Sequence, residues 1–167
     1  MLRDNERANH NDFLEERMTV VNKTLVINAP LDVVRSYYAD QRYARQIYQN
    51  VYLWEPDEEW PNAGATAKIG FKTPGMNVEG TSTSQEYDPQ LMRHVYRVDG
   101  KGVEPSHWEW SFKEMDGQTT VDVQVEYHIP GSILGQALDK LFVERQNARL
   151  LQQSLDNLKA LAEGSAG

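Results

Sequence analysis

A chain of 167 residues with 40% hydrophobic and 10% aromatic content can bury a sizeable single core, which excludes wholesale disorder. Lysine and arginine number 17 against 25 acidic residues, a net charge of −8. This argues against a nucleic-acid binder, which needs a basic face to displace counterions from phosphates, and against docking on an anionic membrane. The absence of cysteine excludes disulfides, thiolate nucleophiles and zinc–thiolate sites, and fits a reducing, cytoplasmic setting.

Residues 1–17 read as a polar N-terminal extension with no apolar face beyond Phe13 and Leu14. They hold no stretch of the signal-peptide kind, and no aliphatic run in the chain reaches membrane-spanning length, so no integral membrane segment is expected. Met18 to Asn28 is rich in β-branched residues and reads as a strand. Pro30 suits the start of a helix, and Leu31, Val34, Tyr37 and Tyr38 follow at helical spacing. A second short helix is expected over Gln41 to Tyr48. From Asn50 the period changes to two. Strands are expected over 51–54, 65–72, 76–87, 91–98, 107–115 and 120–129, separated by turn residues such as Asp88-Pro89 and Asp116-Gly117. Ser132 to about Glu163 is one long helical pattern. Leu134, Leu138, Leu141, Ala148, Leu151, Leu155, Leu158 and Ala162 form its apolar stripe. Short connections make the sheet mostly antiparallel. One long helix against six or seven twisted strands leaves a hollow between two layers that curve apart.

Several local sequences fall in an order that resembles the START-like, helix-grip superfamily. That group includes pollen-allergen-type proteins, the polyketide cyclase/dehydrase and lipid-transport group, and coenzyme-Q-binding START-domain proteins. Val26-Ile27-Asn28-Ala29-Pro30, with Leu31-Asp32-Val33-Val34 after it, is similar to that group's opening. Asp40-Gln41-Arg42-Tyr43 resembles its step into the second helix, and Glu86-Tyr87-Asp88-Pro89 its mid-sheet turn. Phe112 with Gly117-Gln118-Thr119-Thr120-Val121 resembles its late hairpin, and Tyr127-His128-Ile129-Pro130-Gly131 its junction into the last helix. The resemblance implies an α+β helix-grip fold: a curved antiparallel sheet of six to seven strands around one long C-terminal helix, with two short helices after strand one. It covers residues 18–163 as one ligand-binding domain and leaves 164–167 as a tail. It further implies a cavity for an apolar small molecule, such as a lipid, quinone or polyketide, with no cofactor and no metal. The tyrosines at 37, 38, 43 and 48 either close one end of that cavity as a lid or pack on the sheet rim.

Strand parity selects the residues that face the hollow. They are Ala67, Ile69 and Phe71; Met92, His94, Tyr96 and Val98; Trp108, Trp110 and Phe112; and Val121, Val123, Val125 and Tyr127. Most are expected to be core, and the ligand-facing candidates are Phe71, Met92, His94, Tyr96, Trp108, Trp110, Val123 and Tyr127. Three features go further. The strand at 76–87 carries Val78, Gly80, Ser82 and Ser84 on one face, so Ser82 and Ser84 either border unfilled volume or lie on an exposed stretch. The helix stripe is interrupted after Leu141 by Glu144 or Arg145 and then Ala148, so Leu141 and Ala148 are candidates to face a ligand. The alternative sends Glu144 and Arg145 to solvent. His94 lies between apolar neighbours, where it can serve as a base, donate to a carbonyl, or simply be a satisfied core histidine. His107 and His128 have outward parity.

Three functions compete. One is a carrier or binding protein for a hydrophobic small molecule, motivated by the lack of a convincing acid–base pair. The second is a polyketide aromatase/cyclase promoting aldol closure and dehydration, with His94, Tyr96, Ser82 and Arg145 as its candidate groups. The third is a partner-binding protein that uses residues 1–17 as its handle.

Overall fold

β-Branched residues crowd Thr19–Ile27, and this segment forms strand β1 in the computed structural model, which describes residues 18–73, 76–90, 92–128 and 140–164. The expected extension at 1–17 lies outside the described residues, as do 129–139 of the expected last strand and long helix, and 165–167 of the tail. After β1 come helix α1 (Leu31–Ala39), a 3-10 turn (Gln41–Tyr43) and the single-turn helix α2 (Ala44–Ile47). The strands β2 (Val51–Pro56), β3 (Thr66–Thr73), β4 (Met76–Asp88), β5 (Arg93–Gly100), β6 (Ser106–Met115) and β7 (Gln118–Tyr127) follow. The final helix α3 is described over Lys140–Gly164.

The seven strands pair antiparallel in the order β1-β7-β6-β5-β4-β3-β2. β1 and β2 are neighbours in sequence but occupy opposite edges. The segment between them must therefore cross one face of the sheet, and α1 and α2 do so, packing against α3. This is the helix-grip arrangement, a curved sheet closed over a long helix.

Local chemistry sets the turns. Pro30 takes the N-cap position of α1, and its carbonyl accepts from Val33 and Val34. The Leu31 N–H, one of the first-turn donors, is met by Glu114 Oε2 at 2.7 Å. Asp40 caps the 3-10 turn by accepting from the Arg42 N–H. Asp116 and Gly117 both adopt positive φ, 54° and 76°, as a two-residue hairpin of the primed type requires. β5 begins two residues later than expected, because Met92 sits in the left-handed region at φ 47° and ends the preceding turn.

The core joins Ile27, Val34, Ile47, Trp110, Val121 and Val123 to the α3 residues Leu155, Leu158 and Ala162. The buried face of α3 continues through Leu151 to Val143, which is 4% exposed, whereas Leu141 is 46% exposed. The expected stripe through Leu141, Ala148, Leu155 and Ala162 follows a strict seven-residue repeat. A straight helix drifts by about 20° per heptad from such a repeat, and over three heptads this turns Leu141 off the buried face.

Candidate functional site

Two adjoining cavities open between the sheet and the helical layer. The larger, about 140 Å³, lies where β6 begins and β7 ends, beside the first described turns of α3. The smaller, about 80 Å³, lies under α1 and α2 and reaches the β2–β3 loop. Both are lined by Tyr48, Asn50, Phe71, Ser106 and Trp108, so these residues form a shared wall. An apolar space near 150 Å³ holds a benzene-sized molecule, so the larger chamber alone matches one aromatic ring.

Strand alternation brings the aromatic walls together. β5 pairs Tyr96 with Trp108 of β6, and the two rings stack with centroids 5.7 Å apart and planes 9° from parallel. The β2–β3 loop folds inward and adds Trp60, whose ring meets Trp54, His94 and Tyr96 at 5.3, 5.5 and 6.1 Å. Trp54 is tied to the helical layer, its Nε1–H donating to Gln41 Oε1 at 3.0 Å.

His94 stands at the centre of a directed hydrogen-bond chain. The Ser84 hydroxyl donates to Pro61 O at 2.6 Å, which uses its only proton. The 3.1 Å contact between Ser84 Oγ and His94 Nε2 must then run from Nε2–H to Oγ. Nδ1 is left as an acceptor, and the Tyr38 hydroxyl donates to it at 2.8 Å. Burial pushes the His94 pKa down to about 4, so the imidazole is neutral. Burial also holds the Tyr38 phenol well above its ordinary range, with the nearby Tyr96 and Tyr87 adding to the effect. Burial pushes Tyr96 up to about 12. The chain therefore carries no charge at neutral pH, and both nitrogens of the imidazole are occupied.

The expected site residues divide accordingly. Phe71 and Trp108 line both chambers, His94 and Tyr96 the smaller one, and Tyr127 the larger one. Met92, Trp110 and Val123 are buried in the core and border neither chamber. Ser82 and Ser84 are 0% and 1% exposed, so the small face of β4 does point inward. The volume beside Ser84 is not open, however, because the Trp60–Pro61 segment covers it. Ala148 is half-buried and lines neither chamber. Leu141 and Arg145 are corrections: both are exposed, on the side of α3 that the helical drift turns to solvent. His128 is a correction of the opposite kind. It is half-buried and lines the larger chamber, because β7 ends at Tyr127 and strand parity no longer governs the next side chain.

Sequence reasoning passed over several wall residues. Val143, Asn147 and Leu150 border the larger chamber, and counting back from Leu158 and Leu155 at a period of 3.6 would have found them. Trp60 sits in a loop with no period to read. Tyr38 was legible only as one of a tyrosine cluster, since its partner His94 lies 56 residues away.

A curved seven-stranded antiparallel sheet, a long C-terminal helix and an apolar hollow between them define a helix-grip protein. The chain belongs to the polyketide cyclase/dehydrase and lipid transport family, whose model matches residues 18–163. No curated protein matches it in sequence. Among solved structures it is similar to TTHA0849 of Thermus thermophilus, with 19% identity and a TM-score of 0.75 over 89% of this chain and 100% of that one. It is similar to the ZhuI aromatase/cyclase of Streptomyces sp. R1128, with 20% identity and a TM-score of 0.74 over 90% and 97% of the two chains. It also resembles the di-domain aromatase/cyclase StfQ of the steffimycin biosynthetic pathway, with 18% identity and a TM-score of 0.73 over 91% of this chain and 53% of that one. At these identities the likeness establishes the fold.

Proposed function

We propose that the protein binds an uncharged, largely apolar small molecule of about one to three rings, or a lipid or quinone of similar girth, as a carrier or binding protein. The observation that carries this reading is a hollow walled by Phe71, Trp108, Tyr96, Trp60 and Val125 in which the His94 imidazole is neutral and has both nitrogens engaged. A wall of this kind gains affinity by removing apolar surface from water, at about 25 cal/mol per Å² buried. The aromatase/cyclase reading requires a group free to move protons at the ligand. Of the groups weighed for that role, His94 would first have to give up Tyr38 or Ser84 and Arg145 is exposed on α3, so such chemistry would fall to Tyr127 and His128 in the larger chamber.

Native mass spectrometry of the purified protein, paired with organic extraction, tests the proposal. A lipid, quinone or aromatic compound carried in stoichiometric amount supports it. A protein that emerges empty and takes up no apolar probe at micromolar concentration contradicts it. Turnover of a poly-β-ketone chain that disappears in His94→Gln would favour the cyclase instead.

A further inference from the structure

The larger chamber carries an unbalanced set of polar groups. Most of its polar side chains are already occupied. Asn50 Nδ2 donates to Lys72 O at 3.3 Å, Ser106 Oγ accepts from Trp108 Nε1–H at 3.0 Å, and Ser154 Oγ donates to Leu150 O at 3.0 Å. Tyr127 Oη and His128 Nδ1 are different: both atoms are buried, and among the described residues neither has a hydrogen-bond partner. Asn147 lies beside Tyr127 and its amide favours the phenolate, but the two are not in hydrogen-bond geometry. A buried polar atom without a partner costs about 1–3 kcal/mol, and such groups are scarce in native proteins. Here two of them sit on consecutive residues, and both residues line the same cavity.

We infer that the larger chamber takes an amphiphile whose polar end is a single uncharged oxygen function, a hydroxyl or carbonyl, received by Tyr127 and His128. This rests on the cavity reading above. A phenolic O–H donates to either oxygen type, and an imidazole nitrogen donates where it carries a proton and accepts where it does not. The charges argue against a carboxylate. Glu104 lines the chamber, the Glu144 carboxylate acts on Tyr127, and no lysine or arginine is among the described lining residues. A ligand carboxylate would lose its water and gain no cation.

The test compares three probes of one shape by isothermal titration at pH 7: naphthalene, 2-naphthol and 2-naphthoate. The expected result is 2-naphthol bound about tenfold tighter than naphthalene, 2-naphthoate weaker than both, and a 2-naphthol/naphthalene ratio that falls at least about threefold in Tyr127→Phe. The ratio is read within each protein, so a general loss of stability does not imitate the result. If Tyr127→Phe keeps the preference, or the carboxylate binds as well as the phenol, the inference is overturned and the cavity reading stands. If none of the three binds, both fall.

Discussion

The two chambers share the Phe71–Trp108 wall but treat their polar groups in opposite ways. In the smaller one, Tyr38, His94, Ser84 and Pro61 form a chain in which each donor has an acceptor, and Gln41 closes on Trp54. In the larger one, Tyr127 and His128 each leave a buried polar atom unmet among the described residues. The smaller chamber is thus finished as protein structure, with aromatic rings pinned in place. The larger is unfinished as protein structure, and a ligand can complete it. The same residue types, a tyrosine and a histidine, are tied into the protein in one place and are proposed to meet a ligand in the other.

Four experiments break or sharpen this contrast. The largest effect is expected from pH. His94 is neutral in the folded state down to about pH 4, while in the unfolded chain it takes up a proton near its ordinary value of 6.5. Its contribution is therefore fully present above pH 6.5 and is lost as pH falls from there to 4, by about 3 kcal/mol. Urea unfolding across that window should show this fall, and His94→Gln should remove its share of the slope. An unchanged slope in the variant would show that the imidazole is not held neutral by burial.

Next is Tyr38→Phe, which strips the donor from His94 Nδ1 and leaves a buried acceptor bare; a loss of about 2 kcal/mol is expected. Tyr127→Phe is the matched change in the larger chamber. It removes a hydroxyl that has no partner among the described residues, so unfolding free energy should hold or rise, by up to about 2 kcal/mol. Equal costs for the two deletions would erase the distinction between the chambers. The smallest effect is expected from Arg145→Ala, an exposed position on α3. It should leave both unfolding and probe binding within error, and a loss of binding would return Arg145 to the site.

Much of this was legible in the alternation of the strands. Residues of half-buried strands show a period of two, and that placed Phe71, His94, Tyr96, Trp108 and Tyr127 on the inner face. The bulge at Gln85, where the β4 register shifts between Ser84 and Glu86, lies beyond Ser82 and Ser84 and so left their inward assignment intact. The rest was hidden for physical reasons. Helix phase accumulates error with length, which misplaced Leu141. A loop has no period, which hid Trp60. Hydrogen-bond partners such as Tyr38 and His94 meet only through tertiary structure. An empty space is the least legible of all, since it is what the side chains leave over.

The central claim is that the hollow is a binding site for an uncharged apolar molecule. Its most direct test is a titration of naphthalene followed by tryptophan fluorescence, on the native chain and on Val21→Trp, which places an indole in the larger chamber. Saturable binding with Kd on the order of tens of micromolar is expected for the native chain, weakened at least about tenfold in the variant. Absence of saturation, or equal affinity in the two proteins, would contradict the account.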